Sequence, residues 1–129
     1  MTLRIIPQRF APYAQGLLRI AAALLFMQHG AAKLFSVPHV EMFDGLKLFS
    51  LMGAAGVLEL VGGLLMLIGL LTRPVAFILS GQMAVAYFLA HAGANIWPIL
   101  NKGELAALYC FVFLFFAVAG PGAFALDRE

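Results

Sequence analysis

One carboxylate, Glu59, interrupts the apolar run from Leu51 to Leu71. That run has the ~20 residues a membrane-crossing helix needs. A charge near the centre of such a helix costs roughly 2.5–3.5 kcal/mol on insertion scales, so a basic partner, a proton or a ligand must receive it. Other chemically able residues sit in apolar surroundings too: His29 and Lys33 four apart on one helical face, His91 at the end of a third apolar run, and Asn101 and Glu104 at the start of a fourth. Carboxyl and imidazole groups carry protons near neutral pH, and reducing a quinone takes protons as well as electrons. Read this way, Glu59 and His29 donate or relay protons to a quinone-like or other small aromatic molecule. His91 bonds a ligand oxygen, and Lys33 sets the local charge. Nothing in the sequence carries electrons. It has no dinucleotide fingerprint and no CxxC, and its single cysteine, Cys110, lies in an apolar run as a small hydrophobe. A redox partner protein or a bound cofactor must supply them.

Composition says what positions these groups. Of the 129 residues 64% are hydrophobic and 11% charged, with a mean hydropathy of +1.00. A soluble domain is nearer half apolar and a quarter charged, so the expected class is an all-α integral membrane four-helix bundle in contact with the lipid bilayer. A net charge of +2, thinly spread, gives no nucleic-acid footprint. Hydropathy predicts a single four-span domain with spans at about Tyr13–Phe35, Leu51–Leu71, Pro74–Ala94 and Glu104–Ala119. Thr72-Arg-Pro74 makes a turn, Trp97 marks an interfacial loop, and Gly120-Pro-Gly122 ends the last helix. Arg4 and Arg9 precede a stretch too long for a cleavable signal core, so it reads as the first span.

An even number of spans puts both termini on one side. Arg4, Arg9, Arg19, Arg73 and Arg128 fall there, with Lys33, Lys47 and Lys102 opposite, so the positive-inside rule places both termini in the cytoplasm. Threading the helices this way brings His29, Lys33, Glu59, His91, Asn101 and Glu104 to the outer half. The expected pocket has this polar floor and walls of Phe26, Met66, Tyr87 and Phe88. Gly56, Gly62 and Gly63 beside Glu59 let a neighbouring helix approach closely and make self-association plausible.

Plainer readings compete. Glu59 and Lys33 could be an ion pair that only fixes helix register, making the chain a scaffold, chaperone or small transporter subunit. The histidines could meet water at helix ends. Arg19 could snorkel to an interface. Asn101-Lys-Gly-Glu104 has the spacing of a capping box, with Asn101 as the cap and Glu104 reaching back. Gln82, nine residues before His91 and hence on the opposite helical face, falls outside the site. A further alternative is haem or a metal ion held by His29 and His91, with Glu59 and Glu104 as added oxygen donors.

The stretches carrying these residues are Gln28-His-Gly-Ala-Ala-Lys-Leu-Phe35, Leu58-Glu-Leu-Val-Gly-Gly63, Gly69-Leu-Leu-Thr-Arg73, Ala84-Val-Ala-Tyr-Phe-Leu-Ala-His91, Asn101-Lys-Gly-Glu-Leu105 and Ala119-Gly-Pro-Gly-Ala-Phe-Ala-Leu-Asp127. In that order they resemble the DoxX family of small bacterial membrane proteins. Lys102 departs from the pattern, which often has a small residue there. The resemblance implies a four-helix membrane bundle and an oxidoreductase component associated with quinol chemistry. It assigns no chemistry by fold alone.

Overall fold

The computed structural model describes residues 2–128. Five helices follow in order: α1 (Ala11–Phe35), α2 (Leu51–Ile68), α3 (Thr72–Ala90), the single turn α4 (Pro98–Asn101) and α5 (Glu104–Ala119). Short 3-10 turns lie at Gln8–Phe10 and Glu41–Phe43, and there are no strands among the described residues. Three segments are long and apolar enough to cross a membrane: Gln8–Phe35, Leu51–Ile68 and Thr72–Ala90. With 16 residues, α5 spans about 24 Å at 1.5 Å per residue, short of a ~30 Å hydrocarbon core.

The four long helices alternate in direction. Gly30 of α1 lies against Gly56 and Leu60 of α2, and Gly62 of α2 against Leu79 of α3. The Ser80 hydroxyl of α3 donates to the Cys110 carbonyl of α5 at 2.7 Å. The α1–α2 and α3–α5 interfaces are extensive, α2 meets α3 less, and α1 touches α5 only sparingly. The core between them holds Ala23, Phe26, Met66, Ala76, Leu79, Phe113 and Phe116. Large apolar side chains such as Leu24, Val61, Phe77 and Phe111 face outward, as expected where the solvent is lipid rather than water.

Three helix ends in the second and third spans differ from expectation. The second span stops at Ile68 because Gly69 takes a left-handed φ of +68°. A Cβ there would also stand 2.4 Å from the Ala125 Cβ, so the turn needs glycine for both reasons. The third span begins at Thr72, ahead of Pro74, and ends at Ala90 rather than Ala94, since His91 has left the helix with φ −125°.

The residues after α5 fold back across the end of the bundle that carries both termini. Ala123 N–H donates to the Pro12 carbonyl, Leu126 N–H to Ile68 and Asp127 N–H to Gly69. Arg19 organises this return. It does not snorkel: its side chain is fully buried. It donates to the carbonyls of Met66, Pro121, Ala123 and Phe124 at 2.8, 2.5, 2.9 and 2.5 Å. The Asp127 carboxylate accepts from the Leu71 and Thr72 N–H groups at 2.8 and 2.9 Å. It thereby caps α3 in place of a local side chain.

Candidate functional site

Gly30 brings α1 and α2 together around Glu59. A Cβ at Gly30 would stand 2.7 Å from the Leu60 nitrogen and 3.1 Å from the Glu59 Cβ. Glu59 is only 2% exposed and lies at the middle of α2 rather than toward one end. From the last turns of α1, Lys33 reaches in and donates to both carboxylate oxygens, at 2.8 Å to Oε1 and 2.7 Å to Oε2. The Gln82 amide of α3 donates to Oε2 at 2.9 Å and also contacts the Ala55 carbonyl. Three helices thus converge on one carboxylate. The Lys33 side chain retains 12% exposure, and its ammonium sits 5.5 Å from the centre of the Phe43 ring in the α1–α2 connection. This cation–π contact covers the charged end of the pair.

Gln82 is the residue that sequence reasoning left out. Placing it opposite His91 assumed one continuous helical phase through both, yet His91 lies beyond the end of α3. The better signal was local: Gln82 follows the core residue Leu79 by three positions, beside Ser80 and Met83. Its Oε1 is buried without a partner.

The other expected site residues fall into separate surroundings. His29, one turn before Lys33, is half-buried with its ring perpendicular to Tyr109 at 6.4 Å. His91 donates from Nδ1 to the Asn101 carbonyl at 3.0 Å. Asn101 is buried and donates to the Tyr87 hydroxyl and the Asn95 carbonyl, at 3.1 and 2.9 Å. These bonds tie the end of α3 to the loop before α5. They form a second polar cluster distinct from Glu59.

The capping box does not form. Gly103 occupies the cap position of α5 without a side-chain bond. Asn101 Oδ1 instead accepts from the Gly103 N–H at 2.8 Å. Glu104 is exposed and lines a groove of about 360 Å³ with Pro98, Ile99, Lys102, Leu105 and Leu108. Nor do the expected walls enclose one pocket. Phe26 and Met66 are packed in the core, while Phe88 is 71% exposed on the outer surface.

The residues do not fit haem or a metal. Among the described residues no three His, Cys, Asp or Glu side chains come together as ligands. His29 and His91 belong to different clusters, and Phe26 packs edge-on to both Tyr109 and Phe113 at 5.3 and 4.9 Å, filling the interior between α1 and α5. What the buried centre can do is hold a proton or a hydrogen-bonding ligand. It offers an ammonium, a carboxylate and an amide in a medium with no competing water.

Comparison with known proteins agrees with this architecture. The DoxX family model matches residues 14–92, a stretch containing His29, Lys33, Glu59, Gln82 and His91. An uncharacterized protein of Haemophilus influenzae is 43% identical over 127 residues, covering 95% of this chain and 94% of its own. The inner membrane protein YqjF of Escherichia coli is 29% identical over 121 residues, covering 85% of this chain and 86% of its own. No solved structure gives a significant match. With three helices fit to cross a bilayer, a family match over more than half its length and a near full-length relative, this membrane protein belongs to the DoxX family.

Proposed function

We propose that this chain is a redox-associated component of a bacterial inner membrane, crossing it four times with both termini cytoplasmic. In this reading it takes a quinone-like or other small aromatic molecule beside the Lys33–Glu59–Gln82 centre. The observation that carries it is a fully buried carboxylate at mid-helix, held by donors from two other helices, next to an amide oxygen with no partner. Glu59 is the proton carrier, Lys33 holds its charge, and His29, one turn deeper in α1 than Lys33 and half-buried, relays protons to it. Gln82 Oε1 is free to accept from a ligand hydroxyl. Electrons come from a redox partner protein. The inner-membrane name of the Escherichia coli relative supports the location, and the spread of Arg and Lys between the two ends supports the orientation.

The test is binding of a short-chain quinone to protein in lipid nanodiscs. Glu59→Gln is expected to weaken it by at least about tenfold, the loss of one charge-assisted hydrogen bond. Unchanged affinity would remove Glu59 from the reading.

A second reading has its own observation: Lys33 alone satisfies both oxygens of Glu59. The pair then fixes helix register and the protein is a scaffold, chaperone or small transporter subunit. The double replacement Lys33→Met with Glu59→Met separates the two. A double variant that still folds and still binds the quinone would favour the architectural role.

A further inference from the structure

We propose that Tyr109 anchors the ligand: its hydroxyl hydrogen-bonds the carbonyl or hydroxyl oxygen of a small aromatic molecule lying against His29. The assignment rests on the reading above and names the group that fixes the molecule's orientation. Tyr109 is 5% exposed, and its hydroxyl has no hydrogen-bond partner. Its ring is fully accounted for by packing: stacked on Phe113 at 5.7 Å and edge-on to Phe26 at 5.3 Å. A phenylalanine would keep both contacts. The hydroxyl adds only a desolvated polar group, which is destabilising when unpaired, and the bilayer interior supplies no water to relieve it.

The neighbour of that hydroxyl-bearing ring is His29, perpendicular to it at 6.4 Å and itself without a hydrogen bond among the described residues. Two unpartnered polar rings from α1 and α5 therefore meet where apolar rings surround them. That combination recognises a flat apolar body bearing an oxygen. Of the rings that meet here, His29 is the half-buried one, so a lipid-dissolved molecule would reach the hydroxyl from its side. Lys33, four residues from His29, puts the charged centre within one turn of the same place.

The experiment compares wild type, Tyr109→Phe and Glu59→Gln in nanodiscs by thermal melting. The probes are 2-methyl-1,4-naphthoquinone and, as the oxygen-free control, 2-methylnaphthalene. Wild type is expected to be stabilised by the quinone over the hydrocarbon. Tyr109→Phe is expected to melt no lower than wild type without ligand and to bind the quinone about tenfold more weakly. If Tyr109→Phe keeps the quinone preference while Glu59→Gln loses it, the Tyr109 assignment falls and the Glu59 reading stands. A ligand-free Tyr109→Phe that melts below wild type also overturns the assignment, because the hydroxyl would then be serving the fold. No quinone preference in wild type overturns both.

Discussion

Lys33 and Glu59 stabilise each other only as a pair. Removing one partner leaves a bare charge in a low-dielectric interior, which typically costs 3–5 kcal/mol. Lys33→Met is therefore expected to lower stability by about that amount in a denaturant titration. Adding Glu59→Met should recover most of the loss, and strict additivity of the two replacements would contradict the pairing. The pair was legible in the sequence, because a carboxylate in a spanning run demands compensation and Lys33 is the cation nearest in depth. Gln82 and Tyr109 were not. An amide or phenol on an apolar helix can be satisfied by many partners, a backbone carbonyl included, so its role depends on which face meets a neighbour. The pocket walls failed for the same reason: Phe26 and Phe88 are alike in composition, yet one packs in the core and the other faces lipid.

Among the elements, the return of the C-terminal segment is what the sequence concealed. Arg19 looks like a residue that would reach for an interface, but four carbonyls converge on it from α2 and the segment after α5. Carbonyl positions are fixed by tertiary path and leave no mark in composition. The start of α3 moved ahead of Pro74 because its cap is distant: the helix begins where Asp127 accepts its first N–H groups. Burial raises the Asp127 pKa, but the hydrogen bonds from Thr72 and Leu71 and the charge of Arg19 outweigh it and hold the carboxyl below its ordinary 3.8. A depressed carboxyl contributes stability that is complete above the ordinary value and is lost as pH falls through the lower native one. Asp127→Asn should lose about 1 kcal/mol at neutral pH, the usual scale of a lost cap. It should also flatten the acid limb of the stability curve below about pH 4. An acid limb identical to wild type would remove Asp127 as its source.

At the scale of the molecule, the all-helical bundle was readable because hydropathy over spans of ~20 residues is a strong signal. The marginal length of α5 was visible too. Direction followed from the short α2–α3 turn and the loops, and the structure keeps the alternation. The polar groups, however, divide into three places: the Lys33–Glu59–Gln82 centre, the His91–Asn101–Tyr87 corner and the Arg19–Asp127 clamp. Depth alone could not separate the first two, since rotation about each helix axis decides which groups meet. Of the three, only the first is buried at mid-helix, which makes it the part of the molecule with a cost that packing alone does not explain. The most direct measurement is native mass spectrometry of wild type and Glu59→Gln released gently from nanodiscs, with absorption spectra of both. The expected result is an aromatic, quinone-mass adduct on wild type that Glu59→Gln loses. Adduct-free wild type, or an adduct that persists unchanged in Glu59→Gln, would contradict the account.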